Sequence, residues 1–398
     1  MNVLILNHEF PPIGGGAATA TAYIARELAA FGVNVTVLTA AWKDLTGVET
    51  CEGYRVIRVP AFRKSALESH PHEIAAYLAS AFLNSFSTCR QDPPDLVHAF
   101  FGIPSGALGY ALNRLTGVPY LISFRGRDVH GGKASESGGI GGLMKTLSLP
   151  VWHRAEALIA NSQGLKQIAQ QVDPGAEVGV IPNGIDTQKF SPAGPSHHED
   201  RVRLLFVGRL EPYKGLADLF KAMELVQKRT DKPFSLQVVG DGSLRHSLQD
   251  LVAEMGIASR VDFLGPIPGA EMPGIYQDAD VFVLPSLVEG MPNVVLEAMA
   301  SGLPILATRI PGSEDLVCHR RTGALVPPSN PELLAEALYE LIQNSAFRKA
   351  AGQRAREKAE VLSWKHVARA YLDLYRDIQC RHATSPVPQR MNVNVLQS

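Results

Sequence analysis

The chain has 398 residues, 45% hydrophobic and 19% charged, a composition in which burial offsets chain entropy and wholesale disorder is excluded. That length is more than one core usually organises and predicts two domains. Its 38 Lys plus Arg against 39 Asp plus Glu give a net charge of -1, and residues 1 to 190 carry 15 of each sign, so neither half has the basic excess that nucleic acid would require.

Short apolar runs alternate with longer amphipathic segments along nearly the whole chain, the pattern of parallel strands joined by crossover helices. The start, Met1 to Leu6, is too short for a signal-peptide core and reads as a first strand. In the first half the expected strands are Val3–Leu6, Val33–Leu38, Val56–Val59, Leu96–His98, Tyr120–Ser123, Ala157–Ala160 and Val178–Ile181, and a helix Ala17–Phe31 should stop at Gly32. The run toward Asp200, with its Pro, Gly, Ser and His, breaks the alternation and marks a linker. Beyond it the pattern restarts with Leu204–Val207, Leu236–Val239, Val261–Leu264, Val281–Leu284 and Pro304–Ala307. Near the end, Val367, Ala370, Tyr371, Leu374 and Ile378 have helical spacing. The expected organisation is a Rossmann-like domain over 1–188, a linker over 189–200, a second such domain over 201–362, a C-terminal helix over 363–380 and a polar tail over 381–398. The fold class is α/β, two doubly wound sheets facing across a cleft.

No run approaches the ~20 apolar residues of a membrane span, which leaves room only for attachment at a membrane surface. The four cysteines, Cys51, Cys89, Cys318 and Cys380, form no zinc or redox spacing and suit a reducing cytoplasm.

Three loops carry chemistry. Pro11-Pro12-Ile13-Gly14-Gly15-Gly16 follows the first strand and opens a helix, so backbone at Gly15 and Gly16 can approach a ligand closely beside a favourable helix dipole. Val207-Gly208-Arg209-Leu210-Glu211-Pro212-Tyr213-Lys214-Gly215 places two cations, Arg209 and Lys214, past the carboxyl end of a strand, where they can neutralise charge building on a departing diphosphate. The stretch from Leu284 to Ala300 sets Glu289 in a loop, Gly290 in a tight turn, Asn293 as the expected cap of a helix starting near Val294, and Glu297 about one turn inside it. A carboxylate before a helix start suits a polyol diphosphate, since it accepts hydroxyl protons while the helix end holds anionic oxygens.

Glu289 and Glu297, with seven residues between them, resemble the glutamate-x7-glutamate signature of the large group 1 family of retaining GT-B glycosyltransferases, of family 4 type. The resemblance covers roughly Met1 to Ile378. It implies that the first domain binds the acceptor and the second a nucleotide diphosphate sugar, with the C-terminal helix crossing back to the first domain. By the same resemblance Glu289 would hold donor-sugar hydroxyls and Glu297 the ribose hydroxyls. Backbone of Gly290, Met291, Asn293 and Val294 would complete the sugar and phosphate contacts, and Arg209 and Lys214 would hold the diphosphate. The loop of Gly15 and Gly16 would face the donor's phosphates and the acceptor, and Gly208 would bind the donor. Ile267, in Phe263-Leu264-Gly265-Pro266-Ile267-Pro268, and the run Val239-Gly240-Asp241-Gly242-Ser243 would shape the nucleotide pocket, unless these two are simply turns. The acceptor implied is a sugar or lipid-linked sugar of cell-envelope polysaccharide assembly, in the cytoplasm or at the inner membrane face. No metal or other cofactor is expected.

In Ser123-Phe124-Arg125-Gly126-Arg127-Asp128, Arg125 stands where many members of that family have histidine. Arginine, with a pKa above ~12, cannot act as a base; it offers a fixed cation for a phosphate or carboxylate on the donor or on an anionic acceptor, or else pairs with Asp128 or another nearby carboxylate and only shapes the loop. Asp278-Ala279-Asp280 resembles the cation-binding D-x-D of the GT-A fold but precedes a strand, and reads as a turn. Zinc pairs, a G-x-S-x-G elbow and a P-loop are absent from the sequence. The alternatives are a GT-B nucleotide-sugar epimerase, which would turn over without an acceptor, and a non-enzymatic nucleotide-sugar binding protein.

Overall fold

The computed structural model describes residues 1–65, 69–91, 93–126, 129, 148–194 and 201–384. It divides into two compact units, Met1–Gly184 with Trp364–Ser398, and Ile185–Ser363. The chain therefore enters the second unit at Ile185, before the expected linker, and returns to the first at Trp364.

In the first unit the described strands are β1 (Asn2–Leu6), β2 (Asn34–Ala40), β3 (Gly47–Cys51), β4 (Tyr54–Val59), β5 (Leu96–Phe100), β6 (Tyr120–Phe124), β7 (Ala157–Ala160) and β8 (Val178–Val180). They form one sheet in the order β3-β4-β2-β1-β5-β6-β7-β8. All neighbours pair in parallel except β3, which runs antiparallel to β4 with Gly47 opposite Arg58. Both faces are buried, as parallel strands require: Leu4 and Leu6 point into one apolar cluster, Val3 and Ile5 into the other. The sequence reading omits β3 because it is a half-exposed edge with no apolar run, Val48 being 65% exposed.

The helix Gly16–Ala30 ends at Phe31, and Gly32 follows in a left-handed conformation, which matches the expected stop. The C-terminal helix, Trp364–Thr384, runs past residue 380 and belongs to the first unit. It buries Trp364, Val367, Ala368, Tyr371, Leu372, Leu374, Tyr375 and Ile378 in that unit's core, and Trp364 stacks on Tyr23 with centroids 5.2 Å apart. Each large side chain so buried contributes roughly 1.5–3 kcal/mol, so this helix is an integral part of the first unit.

The second unit holds β9 (Val202–Val207), β10 (Phe234–Val239), β11 (Val261–Gly265), β12 (Val281–Leu284), β13 (Ile305–Thr308) and β14 (Gly323–Val326). The sheet is parallel throughout, in the order β11-β10-β9-β12-β13-β14. That is the doubly wound order, whose direction reverses between β9 and β12. The final strand, β14, escapes the sequence reading; it opens on a glycine, a residue that weakens strand signals. Among the described residues no helix is long and apolar enough to cross a membrane.

Candidate active site

In an open parallel sheet the crevice for a ligand lies at the carboxyl ends of the strands, where the winding direction reverses. In the second unit that point is the β9/β12 boundary, and the loops leaving those strands are the two that the sequence singles out. They are knit together by backbone: Leu287 N–H donates to the Tyr213 carbonyl at 2.7 Å. Gly215, at φ +68°, closes the first loop under the second; a Cβ there would sit 2.1 Å from the Pro285 carbonyl oxygen. Only glycine meets both demands.

This arrangement brings Lys214 and Glu289 together. Lys214 Nζ donates to Glu289 Oε1 at 2.5 Å, and each side chain is 12% exposed. The same carboxylate oxygen accepts the Ser286 hydroxyl at 2.7 Å, and the Ser286 carbonyl in turn accepts the Thr308 hydroxyl. Lys214 also lies over the Tyr213 ring, 5.4 Å from its centroid. Arg209, two residues beyond β9, is exposed. Glu211 next to it accepts the Ser243 hydroxyl at 2.8 Å, which ties the loop after β9 to the loop after β10.

Helix Asn293–Ala300 begins directly behind Glu289. Pro292, not Asn293, precedes its first residue, and no side chain caps it, so the expected asparagine cap is corrected. The proline ring fixes the entry φ but carries no side-chain acceptor for the first-turn N–H groups. Gly290 is exposed, Met291 is buried, and Asn293 and Val294 are half-buried. Glu297, one turn inside, is no exposed helical carboxylate. Tyr276 Oη donates to its Oε2 at 2.7 Å, and Tyr276 is itself fully buried against Phe190 and Phe282. Burial raises the Glu297 carboxyl above its ordinary range, against the opposing pull of the Tyr276 hydroxyl and Lys189. Gly208 and Ile267 are half-buried residues following β9 and β11. At Gly240, φ is +125° and a Cβ would lie 2.0 Å from the Gly208 carbonyl oxygen, so this glycine permits the close approach of two loops.

The remaining expected residues belong to the first unit. Gly15 and Gly16 are exposed at the start of helix Gly16–Ala30, and a Cβ at Gly15 would meet nothing within 4 Å. Arg125 lies just past β6. Its guanidinium donates to Asn183 Oδ1 at 2.8 Å and to Tyr371 Oη at 3.2 Å, and stacks 4.4 Å above the Phe100 ring. Tyr371 Oη is 3.0 Å from Ser123 Oγ, which is 2.7 Å from His98 Nε2, and His98 Nδ1 is 2.6 Å from Tyr375 Oη. Burial, reinforced by the Arg125 charge, pushes His98 well below its ordinary pKa and keeps it neutral. Asp128 lies outside the described residues. Sequence reasoning missed this chain of polar groups because its members are scattered over β5, β6 and the last helix. It also missed Ser286 and Tyr276, though Ser286 stands only three residues before Glu289.

Asp278 and Asp280 flank the turn into β12 at its amino end, where Asp280 Oδ2 accepts the Arg203 amide at 2.7 Å and both carboxylates face the Arg203 guanidinium. The turn reading holds. Among the described residues no three His, Cys, Asp or Glu side chains gather as a metal-ligand set.

Comparison with known proteins agrees with this architecture. Residues 187–358 match the family described as Glycosyl transferases group 1, and residues 14–189 match Glycosyltransferase Family 4. The D-inositol 3-phosphate glycosyltransferase of Kineococcus radiotolerans is 31% identical over 402 residues, covering 91% of this chain and 90% of its own. Among solved structures, sucrose-phosphate synthase from Thermosynechococcus elongatus superimposes with a TM-score of 0.81 at 23% identity, over 97% of this chain and 100% of its own. Anabaena HepE in complex with UDP-glucose does so with a TM-score of 0.73 at 19% identity, over 95% and 100%. With two doubly wound sheets, parallel but for the edge strand β3, and both halves of the sequence matched, the chain belongs to the group 1 glycosyltransferases of the GT-B fold.

Proposed function

We propose that this glycosyltransferase takes a sugar from a nucleoside diphosphate donor and transfers it with retention of anomeric configuration. The observation that carries the reading is the Lys214–Glu289 pair at the switch point of the second sheet, where a cation for phosphate and a carboxylate for sugar hydroxyls stand 2.5 Å apart. The donor class is further supported by HepE, which was solved with UDP-glucose.

In this reading Arg209 and Lys214 neutralise the diphosphate as it leaves, Glu289 accepts hydroxyl protons of the transferred sugar, and Glu297 accepts those of the ribose. Backbone from Gly290 to Val294 faces the sugar and phosphates at the start of a helix. Gly208 and Ile267 border the nucleotide, while Gly15 and Gly16 are assigned to the donor phosphates. The leaving phosphate takes the acceptor's proton on the face from which it departs, so no side-chain nucleophile is needed. Arg125 is assigned to an acidic group of the acceptor, as a fixed cation with no capacity to act as a base. A sugar or lipid-linked sugar of envelope polysaccharide assembly is the proposed acceptor.

The test is a screen of nucleotide sugars for thermal stabilisation and slow donor hydrolysis. One nucleotide sugar should raise the melting temperature and release its nucleoside diphosphate, and that release should be lost in Glu289→Ala. A full panel with neither effect would refute the donor assignment.

A further inference from the structure

Lys214 and Glu289 reach each other from two loops, 75 residues apart in sequence. Their surroundings are unequal. Glu289 has a second, independent anchor: its Oε1 also accepts the Ser286 hydroxyl at 2.7 Å, and Ser286 is fully buried at the end of β12 with its carbonyl held by Thr308. Lys214, no more exposed than Glu289, carries its charge on a flexible four-carbon stem with three rotatable donors. A diphosphate brings more negative charge than one carboxylate and would compete for that ammonium, whereas Ser286 would retain the carboxylate in its place.

We propose that Lys214 is an exchangeable cation: Glu289 neutralises it while the site is empty, and the diphosphate of an arriving donor takes it over, releasing Glu289 Oε1 for a sugar hydroxyl. The inference rests on the reading of Lys214 as a diphosphate ligand. Its consequence is that Glu289 opposes tight binding of the nucleoside diphosphate left after transfer, because the carboxylate reclaims the lysine as that product departs.

The experiment is titration of the full chain with inorganic pyrophosphate by calorimetry. Glu289→Gln keeps the shape of the side chain and the Ser286 hydrogen bond but removes the competing charge, so pyrophosphate should bind about tenfold more tightly, as expected for loss of one partly screened charge contact. Lys214→Ala should weaken binding about tenfold, and the double variant should bind like Lys214→Ala alone, since the carboxylate acts only through the lysine. If Lys214→Ala weakens binding but Glu289→Gln does not tighten it, the exchange is wrong and the diphosphate role of Lys214 survives. A double variant that binds tenfold more tightly than Lys214→Ala also overturns it, by showing that Glu289 acts through direct repulsion. If Lys214→Ala binds pyrophosphate normally, the diphosphate assignment fails and the exchange with it.

Discussion

Arg125 and Glu297 show how residue types foretold from sequence acquire their behaviour from neighbours. Arg125 is excluded as a base by its chemistry alone, but its place in a chain of hydrogen bonds through Tyr371, Ser123 and His98 depends on residues up to 246 positions away. Arg125→Ala leaves Asn183 and Tyr371 without this donor, and should cost about 2 kcal/mol of stability by urea denaturation. Arg125→Lys should recover part, because an ammonium cannot span both acceptors as the guanidinium fork does. An unchanged denaturation midpoint in the alanine variant would refute this structural share of its role. For Glu297 the sign follows from burial. Its folded pKa is raised, so the folded unit retains a proton that the unfolded chain releases near the ordinary value of 4.5. The stabilising contribution is complete below about pH 4.5 and is lost as pH rises through the folded pKa. Glu297→Gln still offers Tyr276 an acceptor but no charge, so its melting temperature should lack this decline. Parallel pH curves for variant and wild type would contradict the assignment.

Strands were legible where the sequence runs apolar without a glycine opening or an exposed polar edge. Central strands such as β1 and β12 are covered on both faces and read as apolar runs. The edges β3 and β14 were not, one half-exposed and the other opened by glycine. The loops after β9 and β12 were recognised from their residues, but that they are neighbours is a consequence of strand order, which no local spacing reveals. Gly240 belongs to this scale. As a member of a Gly-Asp-Gly run it could be a simple turn, and only the packed loops show a Cβ aimed at the Gly208 carbonyl. Gly240→Ala combines a strained φ with that clash and should destabilise the second unit by about 3 kcal/mol or more. A melting temperature within a degree of wild type would show that the loops separate freely.

At the scale of the whole molecule, each unit is a doubly wound sheet, and the second carries Arg209, Lys214, Glu289 and Glu297, the charged residues assigned to the donor. With Lys214 and Arg209 assigned to the leaving diphosphate, transfer should survive exhaustive chelation with EDTA; strict dependence on Mg²⁺ or Mn²⁺ would contradict that division of labour. The measurement closest to the central claim is steady-state turnover of the screened donor and acceptor by wild type and Lys214→Ala, with each protein's folding checked by its melting curve. The account predicts that kcat falls by about 10² or more in Lys214→Ala while the fold persists, as for removal of a charge that acts in the transition state. A folded Lys214→Ala enzyme with near-normal kcat would contradict it.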